Sequence, residues 1–169
     1  MIAVEAAAHA PERVTQVITM GGYVDGRTRR NQVGPGSEAI LQMVREGWDK
    51  QKSTFMDAYL MLYFPTAKRD QIEALSHMLQ NSAPLRSEEM NRDFMNNHSV
   101  APLLDKVQAP TLVIHSRDDG VHPLTEGQKM ARGIAGAELL ILETSNHYPL
   151  PGEPAWDVMR EGLRRFLGG

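Results

Sequence analysis

Two short stretches of the 169-residue chain hold side chains suited to moving a proton: Ser116-Arg117-Asp118-Asp119-Gly120-Val121-His122-Pro123 and Ser145-Asn146-His147-Tyr148-Pro149. A carboxylate that accepts a hydrogen bond from an imidazole fixes the ring's tautomer and stabilises its protonated form. The other ring nitrogen can then act as general base toward a hydroxyl nucleophile. The candidates are the acids Asp118 and Asp119 and the base His147. Each stretch taken alone also has a plain structural reading. Asp-Asp-Gly is a good turn, because Asp bonds its own backbone and Gly takes positive φ; Asn-His-Tyr-Pro suits a surface turn. What gives the pair weight is its order, each member directly following a run that reads as a buried strand. His9, His77, His98, His115 and His122 need no special explanation at this level.

The elements that must position the pair are legible on either side of it. Thr111 to His115 (TLVIH) has strand texture, and Pro110 in front suits the start of a strand rather than its middle. Leu139 to Leu142 (LLIL) is a continuous apolar run, as expected of a strand buried on both faces of a parallel sheet. Glu126 to Ile134 between them reads as a helix stopped by Gly133 and Gly136. A last helix starts at Pro154, repeats apolar positions at Trp156, Met159, Leu163 and Phe166, and ends at Gly168-Gly169. In open parallel sheets ligands gather at the carboxyl ends of strands, where both loops would lie.

Upstream, Met1 to about His9 is Ala-rich and helical, Pro11 ends it, and Val14 to Met20 (VTQVITM) reads as a strand closed by Gly21-Gly22. Tyr23 to Ser37 is polar and Gly-rich, hence loop. From Glu38 to Asn97 the texture is helical. Ile40, Leu41, Val44 and Trp48 keep helical spacing, as do Met56, Leu60 and Phe64. Ile72, Leu75, Met78 and Leu79 mark a helix from about Thr66 to Pro84, and Ser87-Glu88-Glu89-Met90 reads as a cap and first turn. The alternation predicts an α/β fold, about three parallel strands flanked by helices, with core portions at 1–22 and 110–169 and a helical insert at 23–109.

Bulk properties narrow the function classes. The net charge is −3 and Arg27-Thr28-Arg29-Arg30 is too short for a basic patch, so this chain itself is not expected to bind nucleic acid. With no cysteine, disulfides and thiolate metal sites are excluded and a cytoplasmic setting is expected. No apolar run suits a membrane span, and Glu5 makes the start a poor signal peptide. No metal or cofactor is expected.

Ala109 to Leu124 resembles the acid-bearing segment of the α/β-hydrolases, and Ser145-Asn146-His147 stands where that family has its catalytic His. Ala10-Pro11-Glu12-Arg13-Val14 resembles the exit from the helix after the family's nucleophile, and the insert resembles its helical lid. The resemblance implies a partial α/β-hydrolase fold, with Asp119 as triad acid and His147 as base. The nucleophile would be a Ser in a G-x-S-x-G turn between strand and helix. No such sequence occurs in these residues, Gly34-Pro35-Gly36-Ser37 included. By the resemblance that Ser would lie roughly four residues before Met1, and the earlier strands and oxyanion donors would also precede it. The expectation is a fragment inactive on its own, from a parent that hydrolyses an ester or similar acyl bond. Its partners would be a small apolar acyl or ester ligand, in a pocket lined by Met43, Met56, Met61, Met78, Met90 and Met95, and a second copy of the chain at the exposed sheet edge. Asn146 to Trp156 also resembles hydrolase-like domains fused to bacterial transcriptional regulators, which implies an alternative: a non-enzymatic ligand-sensing module.

Overall fold

The structure is a computed structural model that describes residues 1–32, 35–50 and 53–168, residues 35–37 by backbone alone. Gly34, the side chain of Ser37 and Gly169 lie outside the described residues. In chain order the elements are α1 (Ile2–His9), β1 (Val17–Met20), α2 (Pro35–Gly47), α3 (Thr54–Tyr63), α4 (Arg69–Ser82), α5 (Leu85–Asn97), β2 (Thr111–Ser116), α6 (Leu124–Gly133), β3 (Glu138–Leu142) and α7 (Pro154–Phe166). The chain divides into two compact units, residues 1–25 with 99–169, and residues 26–98.

The first unit is built on a parallel sheet of order β1-β2-β3, with Val17 opposite Thr111 and Leu112 opposite Glu138. Because side chains alternate along a strand, β2 serves two layers. Val113 packs with Val17, with Val4 and Ala7 of α1, with Met130 of α6, and with Val100, Leu104 and Val107. Leu112 and Ile114 pack with Leu142 of β3 and with Ala155 and Met159 of α7. Leu112, Val113 and Ile114 are completely buried; each such side chain contributes about 1.5–3 kcal/mol. All strands point the same way, so Met20, Ser116 and Leu142 end at one edge of the sheet and the loops after them start side by side.

Several expected boundaries shift, for local reasons. β1 begins at Val17 rather than Val14, because Pro11–Arg13 form a single 3-10 turn closed by the Val14 amide on the Pro11 carbonyl at 3.3 Å. β3 is not buried on both faces: as an outer strand it leaves Glu138 exposed and Leu139, Leu140 and Ile141 half-buried. Residues 23–25 and 99–109, which their texture assigns to the insert, belong to the sheet-bearing unit. There Glu126, buried on α6, accepts the amides of Val24 and Asp25 at 2.9 Å each, and Lys129 donates to its other oxygen at 2.6 Å. Ser99 pairs with Asp25 as an antiparallel bridge and its Oγ donates to Oδ1 of Asp25 at 2.7 Å.

The second unit consists of α2 to α5. Val44, Trp48, Met56, Tyr59, Leu60, Phe64 and Ile72 are its buried apolar residues among those described. Gln80 of α4 donates to the carbonyls of Gly47, Trp48 and Lys50 just past the end of α2. α4 runs from Arg69 to Ser82, inside the expected bounds of Thr66 and Pro84. α5 begins at Leu85 behind Pro84, so Ser87 sits inside the first turn, its amide on the Pro84 carbonyl at 2.9 Å, and is not the cap. Of the methionines expected to line a pocket, Met56 is completely buried among the helices, Met43 and Met95 are half-buried, and Met61, Met78 and Met90 are exposed. Among the described residues no helix is long and apolar enough to cross a membrane.

Candidate active site

The loops after β2 and β3 are joined before they diverge. The Arg117 amide donates to the Leu142 carbonyl at 2.8 Å and the Asp118 amide to the Thr144 carbonyl at 3.2 Å, extending the strand pairing past the sheet. Arg117 and Glu143 form a two-pronged ion pair above this join, exposed and therefore worth little in stability. The chain then turns at Asp119. Its Oδ1 accepts the amides of Val121 and His122 at 2.8 and 3.1 Å, the bonding that makes Asp a turn residue. Its Oδ2 is left for a partner from the neighbouring loop.

That partner is His147, whose Nδ1 lies 2.7 Å from Asp119 Oδ2. The acid side chain is completely buried and the imidazole nearly so. An ionised carboxylate only accepts, so Nδ1 carries the proton and Nε2 is the basic nitrogen of the neutral ring. Burial strengthens the contact, because little water competes for either group. Asp119 and His147 are thus brought together, whereas Asp118 is exposed and bonds the next loop through its backbone amide.

Residues on both sides hold the imidazole. Gly21, just past β1, has φ +58, and a Cβ there would stand 2.5 Å from His147 Cε1; only glycine lets the ring lie against this backbone. Ser116 Oγ donates to the His147 carbonyl at 3.3 Å. Glu153, the residue before α7, ties the loop: one oxygen accepts Asn146 Nδ2 and the Leu150 amide, the other the Thr144 hydroxyl. Rings complete the surroundings, with Tyr148 4.2 Å from His147, His122 edge-on at 5.5 Å, and Tyr23 4.2 Å from His122. Among the described residues no group of three or more His, Asp or Glu could hold a metal ion.

Comparison with solved structures decides the fold. A hydrolase from Pseudomonas aeruginosa superposes with a TM-score of 0.76 at 19% identity, over 99% of this chain and 61% of its own. An esterase from Exiguobacterium antarcticum gives 0.76 at 18% identity, over 99% and 63%. A meta-cleavage product hydrolase from Pseudomonas fluorescens gives 0.69 at 20% identity, over 99% and 60%.

This is part of an α/β-hydrolase fold.

Sequence relatives agree with it. A 2-hydroxy-6-oxononadienedioate/2-hydroxy-6-oxononatrienedioate hydrolase of Klebsiella pneumoniae is 27% identical over 147 residues, 82% of this chain and 49% of that protein. Its counterpart in Escherichia coli is 26% identical over the same span. The chain therefore spans about half the length of the curated relatives it matches. No family model matches it.

Within this α/β-hydrolase fold the surroundings of the pair are harder to read from sequence than the pair itself. His115 and His122, which need no explanation as sequence, both stand beside Asp119. Glu153 carries no signal either: it stands before the helix-starting Pro154 but makes no side-chain cap, and its carboxylate instead bonds Thr144, Asn146 and Leu150. Gly21 is marked only by its place at a strand end.

Proposed function

We propose that Asp119 and His147 are the acid and base of a serine-type hydrolase acting on an ester or related carbonyl compound. The single observation that carries this is the buried 2.7 Å hydrogen bond between Asp119 Oδ2 and His147 Nδ1, on adjacent loops at the carboxyl edge of a parallel sheet. His147 Nε2 would take the proton of a serine hydroxyl as it attacks the carbonyl carbon, then return it to the leaving group, while Asp119 stabilises the intervening imidazolium. The nucleophile would belong to the part of the fold that the relatives have and these residues do not span, since no G-x-S-x-G occurs here. The residues alone would then show little or no ester hydrolysis. The activities of the similar proteins, esterase, enol-lactonase and meta-cleavage product hydrolase among them, support a carbonyl-directed hydrolysis. A composition without cysteine favours a cytoplasmic setting.

The test is turnover of a short-chain nitrophenyl ester by the whole polypeptide that the open reading frame encodes. His147→Ala should lower kcat by about 10³-fold or more, and Asp119→Asn by a comparable factor through loss of the correct tautomer. Turnover unchanged in His147→Ala would overturn the reading.

A further inference from the structure

We infer that His115 is a positioning residue for Asp119, holding the acid in the alignment that His147 requires; the inference rests on the reading of those two residues as a proton-handling pair. His115 lies near the end of β2, four positions before the acid, and is completely buried. Its Nε2 stands 3.0 Å from the His122 carbonyl oxygen. A carbonyl only accepts, so Nε2 carries the proton. The same nitrogen is 3.6 Å from Asp119 Oδ2, the oxygen that meets His147. That is beyond hydrogen-bond length, but it keeps a protonated nitrogen next to a buried carboxylate.

The effect on the turn is specific. His122 is fastened at both backbone groups, its amide to Asp119 Oδ1 at 3.1 Å and its carbonyl to His115. The segment that aims Asp119 is therefore closed by the acid at one point and by His115 at another. Without the second closure the carbonyl of His122 is free to turn, and the acid's Oδ2 is no longer confined to the side of His147.

Two features are hard to explain if His115 only fills space. With Nε2 protonated, its Nδ1 is a buried acceptor with no partner among the described residues, a destabilising condition that an aliphatic side chain would avoid. The ring also requires Gly127 inside α6, where a Cβ would stand 2.7 Å from Nδ1, and glycine in a helix interior is itself unfavourable. Both are tolerated for an imidazole whose one protonated nitrogen faces the acid's turn.

The experiment is proton NMR of this chain with nitrogen-labelled histidine, following solvent exchange of the His147 Nδ1–H. In His115→Phe, with the fold checked by circular dichroism, exchange should accelerate roughly fivefold to tenfold, as for one hydrogen bond lost. His115→Gln, whose carboxamide N–H can reach the His122 carbonyl, should stay within about twofold. Gly127→Ala displaces the ring from its far side without changing its chemistry, and should accelerate exchange as His115→Phe does. Unchanged exchange in His115→Phe, or in Gly127→Ala where the first variant fails to fold, would overturn the inference and leave the Asp119–His147 pair standing. If the unsubstituted chain shows no protected Nδ1–H and matches Asp119→Asn, the pair itself is wrong and the proposed function fails with it.

Discussion

Glu153 and Asn146 hold each other across the loop that carries His147: the Asn146 side-chain amide donates to Glu153 Oε1, which also accepts the Leu150 amide, so one carboxylate grips the chain on both sides of that residue. Asn146 is completely buried, and its donors have no water to fall back on. Glu153→Ala should cost about 2–3 kcal/mol, which for a chain of this length lowers Tm by about 4–12 °C. Glu153→Gln keeps an acceptor for Asn146 and Leu150 and should cost less than half as much. Thermal unfolding of the two variants checks the order; equal losses would mean that the charge, not the acceptor geometry, secures the loop.

Gly21 sets the other wall. Gly21→Ala should be destabilising by about 1–3 kcal/mol, because φ +58 is unfavourable for a side chain, and it should also push the His147 ring from its place. The expected signature is a changed His147 imidazole spectrum along with a lowered Tm. A variant with the lower Tm and an unaltered imidazole would show that the ring has room after all.

Glu126 makes the pH dependence of the fold predictable in sign. Burial pushes its carboxyl up, but the Asp25 amide, the Lys129 ammonium and the Val24 amide together outweigh that and hold it below the usual glutamate range. A carboxyl depressed in the folded state contributes stability that is complete above the ordinary glutamate range and is lost as pH falls through it toward the lower folded value. Glu126→Gln should therefore lower the urea midpoint at neutral pH, with the difference from the unsubstituted chain shrinking steadily on acidification. A difference constant with pH would rule the ionised carboxylate out as the source.

The outer edge of β1 leads to an expectation about association. The Val17 and Gly21 amides donate to the Pro110 and Ile114 carbonyls on the β2 side, so the alternate residues Ile18 and Met20 turn their peptide groups to the other side, where no strand pairs with them among the described residues. Such an edge favours pairing with another chain. Sedimentation velocity on these residues should show dimers or larger species, and a charged substitution such as Ile18→Lys should shift them toward monomer. A monomer at high concentration would refute the expectation.

The parts of the fold that were legible in sequence are those where one local signal acts alone. TLVIH and LLIL read as strands because short apolar runs bounded by turn residues have few other uses, and α7 is announced by Pro154 and its apolar period. The Asp118-Asp119 pair and His147 could be singled out because both follow strands that are consecutive in one sheet, and the resemblance to the α/β-hydrolases selected Asp119 of the two. The rest depended on neighbours distant in sequence. That LLIL lies at an edge and is half-exposed is decided by strand order, which no local pattern reports. That Val24 and Val100 belong with the sheet depends on Glu126, a hundred residues away from the first of them. His115 is one more residue of an apolar strand until the turn at 117–122 folds back over it.

The pairing of Asp25 with Ser99 has an evolutionary corollary. Where the path departs for residues 26–98 and where it returns are stitched together, so to the sheet that whole excursion is a loop with closed ends. Lengthening such a loop is cheap, about 0.6 kcal/mol for each doubling. The helices of the excursion can therefore be resized or exchanged between lineages while Asp119 and His147, both within residues 111–153, keep their geometry.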